Sequence, residues 1–229
     1  MDGAQALAGR PFITGVTGPV AVGKSTFAAD LARRVSRSNL VTAVVATDGF
    51  LLQNAELDAR GLAMRKGFPE SFDTNRMAQF LGDARAGVGA LRVPVYSHLT
   101  YDLVPGEETV FSAPDVLIVE GVNVLLPAHI GDLDLSIYLD APDEAVLGWF
   151  SSRIAELCRA ARDEPASFFR PYAGLTDADM QTFAHAAWDA INAVNLDLHI
   201  RPQRDRADVI VEKLPDHTIG RVTMRPDRR

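Results

Sequence analysis

The chain has 229 residues, 47% of them apolar, and a net charge of −7 with an isoelectric point near 5.2. That length suits a single domain over residues 1–229, with a small lid at most, and the apolar share supports a sizeable core without staples. The acidic balance argues against a nucleic-acid partner, Cys158 has no second cysteine to pair with, and no Cys/His cluster has metal-ligand spacing.

The amino terminus lacks a basic-then-apolar signal pattern, and no apolar run approaches the ~18 residues that span a bilayer. A cytoplasmic protein without a membrane partner is expected. In chain order, Phe12–Thr17 is β-branched, apolar and stops at Gly18, so it reads as a strand. Phe27, Leu31 and Val35 recur at helical spacing and predict a helix over Ser25–Val35. Val41–Ala46 is a nearly continuous apolar run, as in a strand covered on both faces, and it ends at Thr47-Asp48-Gly49. Asn54–Asp73 mixes glycines and a proline and reads as a helix-loop excursion; Arg76–Arg85 reads as a helix.

Val93–Tyr96 is a short strand whose Pro94 suits an edge or a strand end. Val116–Val119 and Leu133–Leu139 are further strands, and Glu144–Ala161 has a helical pattern. Thr176 with Asp179 resembles a capping box and opens a helix through about Val194. Val209–Val211 and Val222–Met224 can close the sheet, and the basic Arg225–Arg229 stretch reads as a solvated end. Strands alternating with helices predict an α/β fold, a mostly parallel central sheet flanked by helices on both faces.

Gly18-Pro19-Val20-Ala21-Val22-Gly23-Lys24-Ser25 fits the phosphate-loop pattern G-x-x-x-x-G-K-[ST], between a predicted strand and a predicted helix. Its backbone N–H groups and the following helix start make an anion cradle, Lys24 reaches terminal phosphates, and the Ser25 hydroxyl can ligate Mg²⁺. In open α/β sheets ligands bind beyond the carboxyl ends of strands. Asp48 and Glu120 fall there. Phosphoryl transfer to an alcohol needs one carboxylate to accept or orient the hydroxyl proton and one to support the metal, which suits Asp48 and Glu120 respectively.

Longer motifs now stand beside this one. They are Gly18–Thr26, Thr47–Leu51, Arg65–Asp73 and Pro94–Leu99, then Val119–Val124, Ile191–Leu196 and Arg204–Ala207. In order and spacing the chain resembles the type I bacterial pantothenate kinases, within the phosphoribulokinase/uridine kinase group of P-loop kinases. The resemblance implies ATP and Mg²⁺ chemistry at the primary hydroxyl of pantothenate, the first step towards coenzyme A, in an enzyme that tends to form homodimers. By position it implies Asp48 as the catalytic aspartate, with Lys24 and Arg153 near the transferring phosphate. It places Tyr96, His98, Tyr101 and Asn192 in the pantothenate pocket. It sets His217 against adenine, and Thr26 closes the phosphate loop.

Bland readings stand beside these. His98 fits a polar strand end, Tyr96 and Tyr101 fit half-buried packing, Asn192 fits a helix-end cap, and Trp149 fits core. Arg204 and Arg206 fit either phosphate contacts or pairing with Asp205 and Asp208. The chain departs from the family at Phe150, where a tyrosine is usual, and at Ile154, Leu157 and Arg162, where phenylalanines are usual. It also departs at Ala29, where an arginine serves coenzyme A feedback. Such changes bear on acceptor choice more than on chemistry, so kinases of another small alcohol, a nucleoside such as uridine or a sugar, stay open. A nucleotide-binding regulator without catalysis is the third reading. Residues 150–176 are the expected cover over the acceptor.

Overall fold

The computed structural model describes residues 9–225; most of the expected basic tail lies outside the described residues. Six strands form the central sheet: β1 (Phe12–Thr17), β2 (Thr42–Ala46), β5 (Val116–Glu120), β6 (Leu135–Asp140), β7 (Val209–Lys213) and β8 (Ile219–Met224). Their order is β2-β5-β1-β6-β7-β8, parallel throughout except β8, which returns antiparallel on β7. The expected parallel sheet is therefore present, and β8 is its antiparallel edge.

Leu117, Ile118 and Val119 are fully buried because both faces of β5 are covered. Each such side chain contributes ~1.5–3 kcal/mol relative to exposure. One face carries α1 (Lys24–Val35), which packs Ala28, Phe27 and Leu31 on Val16, Ile137 and Val211. The other carries α3 (Thr74–Arg85), α4 (Asp143–Ala160) and α5 (Asp177–Ala187), whose Phe80, Phe150 and Met180 share the larger core. A short helix, α2 (Asn54–Ala59), opens the excursion after β2. The Asp73 carboxylate caps α3 by accepting the Arg76 N–H at 2.9 Å, so this helix starts before the expected Arg76.

The strand expected at Val93–Tyr96 is present, longer than expected and outside the central sheet. It belongs to β3 (Ala90–Ser97), which pairs antiparallel with β4 (Asp102–Ser112) in a separate two-stranded ribbon, its register broken between Pro94 and Tyr96. The helix opened by Thr176 does not stop near Val194. It continues beyond α5 as wide π-type turns over Trp188–Asn192 and Leu196–Ile200, then a tight turn over Arg201–Arg206. Pro202, at the start of that tight turn, has no N–H with which to extend the wide turns.

Candidate active site

The phosphate loop joins β1 to α1. Ala21 (φ 62°) and Gly23 (φ 89°) adopt the left-handed region, which reverses the chain and leaves Gly23 as the cap of α1. No acidic residue occupies the first turn of α1, so its positive end is uncompensated and faces the loop. Lys24 is half-buried and donates to the carbonyls of Pro19 (2.8 Å) and Gly18 (3.2 Å). Burial pulls its pKa down to about 8, Glu120 and Asp48 oppose this, and Arg153 adds to it. These three groups therefore stand within electrostatic reach of the Lys24 ammonium.

Ser25 Oγ donates to Glu120 Oε1 at 2.7 Å. Glu120 closes β5 and is 6% exposed; burial raises its pKa, while Lys24 and the Ser25 hydrogen bond pull it back. A hydroxyl and one carboxylate are hard oxygen donors. They fit a Mg²⁺ ion that takes its remaining ligands from water and phosphate. Among the described residues no group of three or more His, Cys, Asp or Glu side chains could hold a metal alone.

Asp48 follows β2 in a tight turn, half-buried, and its carboxylate has no hydrogen-bond or ion-pair partner among the described residues. The β3–β4 ribbon meets this turn closely: a side chain at Gly49 would lie 2.6 Å from both the Pro94 carbonyl and Val93. Burial raises the phenol pKa values of Tyr96 and Tyr101, and the charge of Asp48, within reach of both, adds to the rise. His98 is exposed and stands edge-on to Tyr96 at 5.2 Å between ring centroids. Arg153, on the exposed side of α4, lies within the field of Lys24, Tyr96 and Tyr101. A cavity of about 200 Å³ opens beside His98, lined also by Leu157 and Ala161.

Other expected residues fall elsewhere. Asn192 is mid-helix, not at a helix end, so the cap reading falls. Its Nδ2 bonds the Ala187 carbonyl at 3.3 Å, and no described bond ties it to the Asp48 cluster. His217 stacks on Trp149 at 4.2 Å, and Trp149 donates to the Pro215 carbonyl, so Trp149 is a half-buried platform rather than core. Arg204 pairs with Asp140 at 2.7 Å, and with Glu212, instead of Asp205 or Asp208. Phe150 is buried against Trp188, and Arg162 donates to the Ala173 carbonyl.

Two site residues escaped the sequence reading. Lys66 donates to Asn54 Oδ1 at 2.6 Å and to the Tyr101 carbonyl, over the rings of Tyr96 and Tyr101. Lys213 donates to the Val22 carbonyl at 2.8 Å within the phosphate loop. A signal existed: the sequence has only three lysines among 23 lysines and arginines. All three fall at this site: Lys24 and Lys213 bond phosphate-loop carbonyls, and Lys66 bonds the Tyr101 carbonyl.

Phosphate loop, strand-end carboxylates and doubly covered parallel sheet together define a P-loop kinase. Residues 13–154 match the Phosphoribulokinase / Uridine kinase family. The pantothenate kinase of Clavibacter sepedonicus is 47% identical over 224 residues, covering 94% of this chain and 70% of that protein. That of Streptomyces avermitilis is 43% identical over 230 residues, covering 95% and 70%. The fold is also that of D-glycerate 3-kinase from Cryptococcus neoformans var. grubii, with a TM-score of 0.62 at 14% identity over 94% of this chain and 90% of the other. The chain belongs to the Phosphoribulokinase / Uridine kinase family and, within it, to the pantothenate kinases.

Proposed function

We propose that the chain is a kinase that transfers a phosphoryl group from ATP to the primary hydroxyl of pantothenate, the first step towards coenzyme A. The observation that carries this reading is the Asp48 carboxylate. It has no partner among the described residues, and its charge is felt by Lys24, Glu120, Tyr96, Tyr101 and Lys66. In this reading Asp48 orients the acceptor hydroxyl and takes its proton. Lys24 and the amides of Gly18–Thr26 hold the phosphates, and Arg153 neutralises charge on the transferring group. Ser25 and Glu120 would hold Mg²⁺, which when bound offsets phosphate charge. Tyr96, His98, Tyr101 and Asn192 line the acceptor end, and His217 faces the adenine end. The proposal includes one kinase domain with residues 150–176 covering the acceptor, a cytoplasmic setting and a homodimer.

Steady-state assay with ATP and pantothenate tests it: turnover is expected, and none at millimolar pantothenate removes the reading. Asp48→Asn should lower kcat by roughly 10²- to 10⁴-fold with little change in KM for ATP. Phe150 favours a second reading, since this buried side chain offers no hydroxyl to a pantothenate-like acceptor. A panel of nucleosides and sugars decides between them by kcat/KM.

A further inference from the structure

One backbone carbonyl near the acceptor end receives more than its share of attention. Gly67 sits in the left-handed region (φ 91°), directly after Lys66. Its carbonyl accepts from Asn195 Nδ2 at 2.9 Å and from Asn123 Nδ2 at 3.3 Å. Its N–H donates to Ser71 Oγ at 2.9 Å. Asn123 lies just past Glu120, and Asn195 lies on the helical continuation of α5, so the grip joins two separate parts of the chain.

Both amides are buried, Asn123 at 2% and Asn195 at 6% exposure, and both Oδ1 atoms lack a partner among the described residues. Stability alone disfavours this arrangement. A buried acceptor without a hydrogen bond is costly, and an apolar side chain of similar size would remove the cost. Polar groups that break this rule are expected where a site needs a fixed geometry. The group fixed here is the residue before Gly67. The Lys66 ammonium is stationed by Asn54 and Tyr101 and lies in the field of Asp102 and Asp48.

We propose that Asn195 and Asn123 are positioning residues, gripping the Gly67 carbonyl so that the Lys66 ammonium is held on Asn54 and the Tyr101 carbonyl at the acceptor end of the site. They touch no reacting atom and act through Lys66. Only the kinetic part of the test rests on the kinase reading above.

Asn195→Leu removes the donor together with its unmatched acceptor. It should keep or raise the melting temperature. It should lower kcat/KM for pantothenate by about 10- to 100-fold and leave KM for ATP unchanged. In a Lys66→Met background the same change should cost nothing further, because the two residues act as one unit. With only three lysines, ¹³C-dimethyl labelling gives a simple spectrum. Lys66 should titrate below the ordinary lysine value in the native protein, since burial lowers it, and move up towards it in Asn195→Leu. An Asn195→Leu protein with unchanged kcat/KM and an unmoved Lys66 titration overturns the proposal, as do losses that multiply with Lys66→Met. Should Asn195→Leu fail to fold, Asn123→Ala carries the same measurements. If the native protein turns over no pantothenate, the functional reading falls while the Lys66 titration still decides the grip.

Discussion

Gly121 shows how a single atom can set the site. It follows Glu120, and a side chain there would overlap Thr47 Oγ1, itself buried and without a hydrogen-bond partner among the described residues. Gly121→Ala should therefore cost about 1–3 kcal/mol, the range for overpacking, and push Glu120 away from Ser25. Adding Thr47→Ala should recover part of the loss in urea melts; strictly additive losses would deny the contact. His129 is a second residue-scale case. It is 1% exposed, its Nδ1 has no partner among the described residues, and burial lowers its pKa below 6.5 against the opposing pull of Asp132. The native state thus binds fewer protons than the unfolded state just below pH 6.5, so stability rises with pH through that window and is lost on acidification. The slope is at most about 1.4 kcal/mol per pH unit. Melting temperatures from pH 5 to pH 7 should fall more steeply on the acid side for the native protein than for His129→Leu; parallel curves would acquit His129.

At the scale of elements, local chemistry predicts starts better than ends. Thr176 Oγ1 accepts the Asp179 N–H at 3.2 Å, as the capping pattern foretold, while the Asp179 carboxylate accepts from the Thr176 hydroxyl at 2.7 Å. Thr176→Ala should cost about 1 kcal/mol, or roughly 2–4 °C in melting temperature, leaving KM for ATP unchanged; an unshifted melt would mean the cap is idle. The far end of that helix was not legible, because wide π-type turns shift the apolar phase away from the 3.6-residue period. Strand β4 was missed for another reason. It carries Pro105, Gly106, Glu107 and Glu108, has no fully buried residue, and pairs only with β3. Strand signals come mostly from burial, and β4 has little. The buried runs β1, β5 and β6 announced themselves, as did the phosphate loop; β2 was legible as a strand, but it is an edge strand with only Ala43 and Val45 buried, not one covered on both faces. Lys66 lies inside the Arg65–Asp73 motif, yet its bond to the Tyr101 carbonyl depends on the ribbon folding back over Gly49, a tertiary fact no local pattern encodes.

At the scale of the molecule, the two tryptophans mark the two sides of the sheet. Trp188 is buried against Phe150 in the core under α4 and α5. Trp149 also touches that core, but it packs against the α1 side as well and stacks on His217, with the Lys213 ammonium 5.5 Å from its ring. Because Trp149 bridges both sides and β1, β5 and β6 are shared by both, neither side can lose its packing without exposing the other. Unfolding should then be one cooperative step. In Trp149→Phe, the remaining Trp188 emission and far-UV circular dichroism should give the same urea midpoint; in Trp188→Phe, Trp149 emission and dichroism should likewise coincide. Midpoints that separate within either variant would divide the chain into two units. The same pair of proteins locates the nucleotide. Lys213 joins the Trp149 ring to the phosphate-loop carbonyl of Val22, so ATP should change the emission of Trp188→Phe and leave that of Trp149→Phe nearly unmoved. The reverse pattern would put the nucleotide on the wrong side of α4.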